Sequence, residues 1–409
     1  MLVRTLMAGL TAMVWLHAAA VGARAQLVDA PWPMFQHDNQ HTGRSTLPGP
    51  TAPITIKWSY KGKNWIKTQP AVGPDGTVYF GSGRQPMCAV DPDTGAELWC
   101  NPKGGDANSS SPAIGMVNGS HRIYMGARDN KLWAVNPDGS VEWRYKIALD
   151  GDIDTSPAIS STDGTIYMTC GCLAQGIVWA LDPDPPTAAG LPRWSLELGA
   201  GIKNSAPAIG ENGRIYVGAL DGRLFAIDDT PAGGVIAWDL SVGQRIRESA
   251  PTIHVGAGGV HTILVGTDSG LVAVRDDGTQ GTQLWQRTTA GEVDTTPALT
   301  ATGQIVVSSF LKGVRTLYAF DLNGNAVWDP KGGAAKGTTK RSQSASAVID
   351  SNGIVYQALG KWVYALAFNG TAVPTEVWKV KLPADVITMS LGNGVLYVSA
   401  RDSMLYALE

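Results

Sequence analysis

Tryptophan recurs along this chain at nearly even intervals, and the clearest copy of the pattern around it runs from Ala89 to Trp99. That copy reads AVDPDTGAELW: a strand ending in Ala-x-Asp, a Thr-Gly turn and a second strand ending in tryptophan. A period of about 40 to 50 residues is typical of a repeat architecture. The periodic residues are Trp58, Trp99, Trp143, Trp194, Trp238, Trp285, Trp328 and Trp378.

A second recurring element lies upstream of these copies. It is followed by a glycine turn and an alternating run such as RIYVGAL, and alternation of apolar and polar residues is the signal of a strand. Each unit therefore holds four short antiparallel strands, as a blade of a β-propeller does. The element is a run of small polar residues that ends at Pro70, Pro112, Pro157, Pro207, Pro251 and Pro297.

The two ends of the repeat region complete each other. The last unit, from Asp385 to Glu409, supplies three strands and stops before its tryptophan, whereas the segment ITIKWSY around Trp58 has no unit of its own. Pairing the two ends closes the ring and removes an exposed sheet edge. We therefore predict an all-β, eight-bladed β-propeller with four-stranded antiparallel blades, in which an N-terminal strand completes the last blade.

The N-terminus has the features of a secretory signal peptide. Arg4 gives a basic start, Leu6 to Val21 is mostly apolar, and Ala23-Arg24-Ala25 fits a cleavage site before Gln26. We expect residues 1–25 to be a signal peptide, residues 26–52 a lead-in segment and residues 53–409 the propeller. The mature chain is then expected to lack a transmembrane segment and to be periplasmic or extracellular.

Composition and charge narrow the class of partner. The chain has 49 glycines and 24 prolines among 409 residues, which suits a fold with many tight turns, and 16% of its residues are charged. A net charge of -3 gives no electrostatic footprint for a nucleic acid. We expect the partner to be a protein or a small ligand, bound at a face of the propeller or in its channel.

Four cysteines are present, and in an exported chain an even number favours disulfides. Cys88 and Cys100 flank the Ala89-to-Trp99 hairpin one residue outside its ends, so we predict that they face each other and form a cross-strand disulfide. Cys170 and Cys172 form a Cys-Gly-Cys sequence. It is compatible with a disulfide, with free thiols or with half of a metal site, and a metal site would need further histidine or cysteine ligands.

One side chain per blade is expected near the channel mouth, three residues before each Pro-Ala position. Such a ring could bind a cation or a small charged ligand, or it could simply line a water-filled channel. Four members are acidic and one is an amide, with Lys203, Arg245, Arg247 and Arg341 close in sequence. The ring consists of Lys67, Ser109, Asp154, Asn204, Glu248, Asp294, Ser344 and Asp385.

Other polar and aromatic residues are weaker candidates. His37, Asp38 and His41 cluster before the first blade and could bind a metal, but we favour a terminal cap whose imidazoles bond to backbone. Two tryptophans outside the eight periodic positions, Trp65 and Trp362, are candidates for a binding surface. The remaining two, Trp133 and Trp179, occupy the strand position of Phe225 and Tyr318 in other blades and are predicted to be core residues.

The AVDPDTGAELW sequence resembles the tryptophan-docking repeat of the pyrroloquinoline quinone (PQQ) repeat family, and about seven copies extend from Trp58 to Glu409. The segment WPMFQHDNQHTGRS, from Trp32 to Ser45, resembles the lead-in of exported members. The resemblance implies an eight-bladed quinoprotein-like propeller. It does not fix an activity, because the repeat builds both quinoprotein alcohol dehydrogenases and scaffolds similar to the outer-membrane assembly lipoprotein.

The resemblance leaves two functions to compare. A dehydrogenase of alcohols or sugars would need PQQ and a metal such as Ca²⁺, and family enzymes also hold two adjacent cysteines over the quinone, which Cys170-Gly171-Cys172 does not reproduce. The candidate contacts for such a cofactor are Lys67, Asn204, Arg247 and Glu248, and the candidate metal ligands are Asp154, Asp294 and Asp385. Since the acidic residues are spread around the ring, we favour a binding or scaffold module, with the PQQ-dependent dehydrogenase as the alternative.

Overall fold

The computed structural model describes residues 26–83, 85–101, 109–147, 153–185, 192–328, 336–338, 345–368 and 374–409. Over these ranges the regular structure is β-strand, apart from one 3-10 turn at Ala257–Gly259. None of the helical structure in the described ranges is long and apolar enough to cross a membrane. Residues 1–25, where the signal peptide is predicted, lie outside the described ranges, as do Arg341 and Ser344.

The strands of the described part form eight antiparallel sheets arranged as propeller blades, which confirms the predicted fold. Two strands precede the first blade, β1 (Gln26–Leu27) and β2 (Ile56–Lys61). Blade 1 contains β3 (Ala71–Val72), β4 (Val78–Ser82), β5 (Gln85–Val90) and β6 (Glu97–Cys100), and blade 2 contains β7 (Ala113–Val117), β8 (Ser120–Ala127), β9 (Lys131–Val135) and β10 (Val141–Lys146). Blade 3 contains β11 (Ala158–Ile159), β12 (Ile166–Thr169), β13 (Ile177–Leu181) and β14 (Trp194–Glu197), and blade 4 contains β15 (Ala208–Ile209), β16 (Ile215–Gly218), β17 (Arg223–Thr230) and β18 (Gly233–Ser241).

The second half of the ring repeats this arrangement. Blade 5 contains β19 (Thr252–Val255), β20 (His261–Thr267), β21 (Gly270–Asp276) and β22 (Gly281–Thr288), and blade 6 contains β23 (Ala298–Leu299), β24 (Ile305–Leu311), β25 (Val314–Phe320) and β26 (Ala326–Trp328). The short strand β27 (Lys336–Thr338) adds to blade 6 by pairing with β25. Blade 7 contains β28 (Val348–Ile349), β29 (Ile354–Leu359), β30 (Trp362–Ala367) and β31 (Thr375–Lys381), and blade 8 contains β32 (Val386–Leu391), β33 (Leu396–Ala400) and β34 (Met404–Leu408).

The N-terminal strand β2 closes the ring. It pairs antiparallel with β34 and supplies the outer strand of blade 8, with Trp58 opposite Ala407 and Ser59 opposite Tyr406. Backbone bonds between Thr55 and Glu409 extend the pairing to the last residue. The predicted closure by an N-terminal strand is therefore confirmed.

The docking tryptophans join each blade to the next. Trp58 of blade 8 donates its indole N–H to the carbonyl of Pro92 in blade 1 at 2.8 Å and packs 5.7 Å from the Tyr397 ring of its own blade. A Cβ at Gly95 would lie 2.6 Å from the Trp58 ring, so only glycine fits the turn that receives this tryptophan. The indole N–H groups of Trp99, Trp143 and Trp285 likewise donate to the backbone carbonyls of Pro137, Pro183 and Leu322 in the next blade. Trp194 and Trp238 donate to the carboxylates of Asp229 and Asp276. Trp378 donates to the carbonyl of Pro50 in the lead-in segment.

The lead-in segment covers one end of the channel. Its backbone carbonyls accept hydrogen bonds from the inner strands of blades 2, 4, 5, 6 and 7. In each blade the donor is the backbone N–H two residues after the proline of the Pro-Ala position, or after its equivalent. These bonds run from Ile114 to Pro33, Ile209 to Asn39, Ile253 to Gln40, Leu299 to Thr42 and Ile349 to Gly43. Because the segment is bonded to blades on several sides of the ring, it closes this end and leaves the opposite mouth as the entrance.

Candidate ligand-binding well at the channel mouth

The inner strands decide which side chains reach the channel. Successive residues of an extended segment point to opposite sides, so the residues three and one before each Pro-Ala proline face the axis, and the residue between them faces its own blade. That middle residue is a Ser or Thr in most blades, and its hydroxyl accepts a backbone N–H from the adjacent strand. The pairs are Thr68 with Gly81, Ser110 with Gly126, Ser205 with Gly218 and Ser249 with Gly266, at 2.8–3.2 Å.

A belt of bonds between blades fixes the channel wall. Ser111 accepts the backbone N–H of Gln69 at 2.9 Å, and Ser156 accepts that of Ser111 at 2.9 Å. On the far side Ser346 accepts the N–H of Thr296 at 2.9 Å. These side chains lie one residue before the Pro-Ala position, so the wall below the mouth is held by blade-to-blade hydrogen bonds.

The mouth opens into a cavity of about 180 Å³, which we call the channel well. Phe35 of the lead-in segment lines it, so the segment that closes the far end also contributes to the well. The lining contains the aromatic residue Trp65 and six of the predicted ring residues, namely Lys67, Ser109, Asp154, Asn204, Glu248 and Asp294.

Two predicted residues lie elsewhere. Arg247 lines a neighbouring cleft of about 460 Å³ between blades 5 and 6, where Asp268 pairs with it at 2.8 Å and with Arg245 at 2.9 Å. Asp385 is not in the lining of the well, and its backbone carbonyl accepts the N–H of Arg401 at 2.9 Å. The predicted group of seven contacts is therefore only partly brought together.

The blade 1 side of the well is cationic. Lys67 lies 5.0 Å from the ring of Trp65, which is 50% exposed. Burial lowers the pKa of Lys67, the positive charges of Arg128 and Arg401 lower it further, and Asp154 opposes them. Three cations therefore contribute positive potential at this side.

The opposite side, formed by blades 5 and 6, is acidic. Glu248 is half-buried and pairs with Lys203 at 3.2 Å. Burial raises the pKa of Glu248, the carboxylates of Asp294 and Glu292 add to that increase, and Lys203 opposes it. A cationic group placed beside Glu248 would relieve this repulsion.

Asp294 is held by a buried arginine that the sequence analysis did not identify. Arg315, which is 2% exposed, donates to both carboxylate oxygens of Asp294 at 2.8 and 2.7 Å. Its guanidinium also lies 5.3 Å from the ring of Phe310. The signal in the sequence is a single arginine inside the otherwise mostly apolar strand VRTLYAF.

The donor groups of the well do not fit PQQ with a bound metal. Calcium takes six to eight oxygen ligands at about 2.3–2.6 Å, whereas both oxygens of Asp294 are bound to Arg315 and Glu248 is paired with Lys203. No group of three His, Cys, Asp or Glu residues in the described ranges is placed to hold a metal ion. The well is also smaller than the roughly 300–1,000 Å³ of typical ligand pockets.

The predicted Cys88–Cys100 disulfide is confirmed, and the Cys170–Cys172 pair, for which the sequence left several states open, is also joined. Cys88 and Cys100 are directly opposed in β5 and β6 and form a disulfide. Cys170 and Cys172 also form a disulfide, so neither sulfur is a thiolate available to a metal. Their loop packs against blade 4, where Ile202 donates its backbone N–H to the Cys172 carbonyl at 2.9 Å.

The histidine cluster caps the covered end of the channel. His41 is fully buried, and its Nδ1 lies 3.0 Å from the carbonyl of Pro251, so it donates a hydrogen bond there. Asp38 accepts from the backbone N–H of Thr42 at 2.9 Å. These contacts agree with the cap that we favoured over a metal site.

Acid is expected to loosen this cap. Burial lowers the pKa of His41 to about 4, against a smaller opposing effect of Asp38, while an unfolded histidine titrates near 6.5. The stabilisation is present above about pH 6.5 and is lost as pH falls toward 4, by at most about 3 kcal/mol. Denaturant unfolding at pH 7.5 and 4.5 should show this loss for the wild type. His41→Asn should reduce it, because asparagine also tolerates the left-handed conformation at this position (φ 56°); equal pH dependence in the two proteins would contradict the assignment.

The remaining tryptophans divide as predicted between core and surface. Trp133 and Trp179 are buried at 2% and 5% exposure, in the hydrophobic core of blades 2 and 3. Trp362 is half-buried and has the Lys381 ammonium 5.6 Å from its ring. Trp65 is therefore the candidate that combines exposure with a position in the well.

Solved structures with this architecture include an enzyme, a natural assembly factor and a designed protein. Europium-containing methanol dehydrogenase matches with a TM-score of 0.69 and 12% identity over 92% of this chain and 97% of that chain. BamB from Moraxella catarrhalis matches with a TM-score of 0.60 and 16% identity over 87% and 99%. The computationally designed Ika8 protein gives 0.57 and 15% over 85% and 96%. Identities this low show a shared fold and nothing more.

The sequence comparison is more specific. No curated protein matches the chain significantly. Residues 54–241 and 229–373 match the family described as "Outer membrane protein assembly factor BamB". The match covers well over half of the chain and agrees with the resemblance to PQQ repeats that AVDPDTGAELW indicated. This protein therefore belongs to the family of the outer membrane protein assembly factor BamB.

Proposed function

We propose that the protein is an exported, periplasmic or extracellular binding module that holds a small dipolar ligand in the channel well. By dipolar we mean a molecule with a carboxylate and an ammonium group, as in an amino acid or a short peptide. The observation that carries the proposal is the opposed charge of the two sides. Lys67 is on blade 1 and Glu248 on blade 5, and blades four apart in a ring of eight face each other across the axis.

Each end of such a ligand would relieve an unfavourable interaction. A carboxylate beside Lys67 would offset the mutual repulsion of Lys67, Arg128 and Arg401. Lys203 already pairs with Glu248 at 3.2 Å, and an ammonium group beside Glu248 would add to that pairing in offsetting the repulsion of Glu248 by Asp294 and Glu292. Charges in a partly desolvated cavity interact more strongly than charges in bulk water, so both contacts favour binding.

The shape of the well favours a small molecule. Trp65, beside Lys67, and Phe35 provide apolar surface in the lining of the well, and a volume of about 180 Å³ limits how much of a ligand can be enclosed. The wall is fixed by bonds between blades, so little ordering is needed on binding, which favours affinity. The described assembly function of the family supports a binding role as well, with a protein partner at the propeller face.

Calorimetric titration of the mature protein with neutral amino acids tests the proposal. We expect saturable binding of the free amino acid and weaker binding of its N-acetyl and amide derivatives, each of which lacks one charge. Lys67→Met and Glu248→Gln should each weaken binding about tenfold or more, since tenfold corresponds to about 1.4 kcal/mol. The matched control is Lys361→Met, an exposed lysine on blade 7 outside the well.

The same preparation distinguishes the dehydrogenase alternative. Titration with PQQ and Ca²⁺, followed by absorbance, should give no saturable change, and no dye-linked alcohol oxidation should appear. Saturable quinone binding with turnover that is lost in Asp294→Ala or Asp154→Ala would replace our proposal by the alternative. Equal, weak responses to all three amino-acid derivatives would also contradict it.

A further inference from the structure

The two disulfides of this chain differ in what they enclose. Cys88 and Cys100 are 12 residues apart and join directly opposed strands, whereas Cys170 and Cys172 enclose one residue, Gly171. A cross-link that closes a very short loop excludes few conformations of the unfolded chain and so stabilises the fold least. Stability therefore explains the Cys88–Cys100 bond better than the Cys170–Cys172 bond.

Each disulfide joins one buried cysteine, Cys88 or Cys170, to one half-buried cysteine, Cys100 or Cys172. The surroundings of the half-buried sulfurs differ. The Cys100 sulfur has the Tyr60 hydroxyl at 3.7 Å, whereas Cys172 lies between Gly171, which has no side chain, and Leu173, which is 67% exposed. An attacking thiolate must reach a sulfur atom for exchange to occur. Cys172 is therefore followed directly by exposed residues of this loop, and the exposed Leu173 side chain offers an apolar contact to a partner.

The reduced state has a hydrogen-bond partner already in place. The sulfur of Cys170, which is 1% exposed, lies 3.8 Å from the carbonyl oxygen of Gln175. A Cys170 thiol can donate a hydrogen bond to that oxygen, so reduction would not leave a buried S–H group without an acceptor. This favours Cys170 as the leaving sulfur and Cys172 as the attacked sulfur.

We infer that Cys170–Cys172 is a redox-active disulfide that exchanges with the dithiol of a partner protein. One partner thiolate attacks Cys172, forms a mixed disulfide and releases the Cys170 thiolate, which takes up a proton. The second partner thiolate then attacks the partner's own sulfur in the mixed disulfide and releases Cys172. The partner is oxidised to a disulfide, and Cys170 and Cys172 receive two electrons and two protons as thiols.

The loop lies close to the channel mouth. Ile202, which bonds to the Cys172 carbonyl, precedes Lys203 and Asn204 in the segment that leads into blade 4. A Cβ at Gly201 would lie 2.0 Å from the carbonyl oxygen of Leu173, so the loop is in close contact with that segment. A partner docked on Cys172 would therefore sit beside the well, although the exchange does not depend on a ligand in it.

The experiment uses the second disulfide as an internal control. The mature oxidised protein is equilibrated with buffers of increasing ratio of reduced to oxidised dithiothreitol, quenched with acid and alkylated, and each cysteine pair is quantified by peptide mass spectrometry. We expect Cys170–Cys172 to be half reduced at a ratio at least about tenfold lower than Cys88–Cys100, a difference of about 30 mV for a two-electron couple. The melting temperature of the selectively reduced protein should stay within a few degrees of the oxidised one.

A variant tests which sulfur is attacked. Cys170→Ser should form a mixed disulfide with oxidised glutathione at Cys172, whereas Cys172→Ser should react far more slowly at the buried Cys170. Reduction of both disulfides at the same ratio, or of Cys170–Cys172 only when the protein unfolds, would show a structural cross-link and overturn the inference. The wild-type measurement remains decisive if a variant fails to fold.

Discussion

A chain that begins at Ser59 is expected to aggregate, or to melt about 10 °C or more below the mature protein. This truncation removes Trp58, which is buried with 7% of its surface exposed, and with it half of the strand that completes blade 8. Loss of a buried tryptophan costs about 3–5 kcal/mol, and 1 kcal/mol lowers the melting temperature of a large domain by about 2–4 °C. The exposed edge of β34 then becomes available for pairing with another chain.

The matched control begins at Gly49. It lacks most of the lead-in segment but keeps β2, the bond from Trp378 to Pro50 and the pairing of Thr55 with Glu409. Differential scanning calorimetry and light scattering on the two proteins separate ring closure from the lead-in. If the protein that begins at Ser59 stays monomeric and melts with the control, ring closure by β2 does not stabilise the propeller.

The repeat made the arrangement of strands in the blades and the closure of the ring predictable from the sequence. Trp99 and its equivalents fix the register of every outer strand, so the opposition of Cys88 and Cys100 follows from the position of the turn between them. Closure of the ring could also be predicted. The last repeat unit lacks its tryptophan strand, and the strand around Trp58 belongs to no other unit. Each of these predictions depends on contacts that recur once per blade.

Features that do not recur were harder to predict. The lead-in has no periodicity, so nothing in it showed that Phe35 would line the well or that its carbonyls would meet the inner strands. The ring position of Asp294 was predictable, but its partner Arg315 is 21 residues away, at a position where other blades have turn residues such as Gly222. Blade 6 has a longer hairpin, with Phe310 opposite Arg315, and this extension places the arginine inside the strand.

The covered end and the open mouth give the propeller two different faces. His41 and its neighbours seal one face with backbone hydrogen bonds, whereas the half-exposed Trp65 and the charged sides of the well are at the other. In the part of the chain that the structure describes, the mouth is therefore the end from which the proposed ligand would enter the well. The Cys170–Cys172 loop contacts the segment that carries Asn204 and leads into blade 4, so the proposed binding and exchange sites share one face.

Arg315→Met is expected to lower the free energy of unfolding by about 3–5 kcal/mol, because it leaves a buried carboxylate without its partner. The side chains of Arg315 and Asp294 are 2% and 6% exposed and share two hydrogen bonds. The double variant Arg315→Met with Asp294→Leu should recover much of the lost free energy of unfolding. Two apolar side chains of similar volume often give the same stability as a buried ion pair. Denaturant unfolding at neutral pH measures all three proteins.

The control for charge removal alone is Arg275→Met on blade 5. Arg275 pairs with Asp277 at the surface, and their side chains are 44% and 25% exposed, so this substitution should lower the free energy of unfolding far less than Arg315→Met does. With the single variant Asp294→Leu measured as well, the double variant gives the coupling between Arg315 and Asp294, which should be several kcal/mol if the buried pair fixes the acidic side of the well. Additive losses in the double variant, or a loss for Arg315→Met no larger than for Arg275→Met, would show that Asp294 does not depend on Arg315.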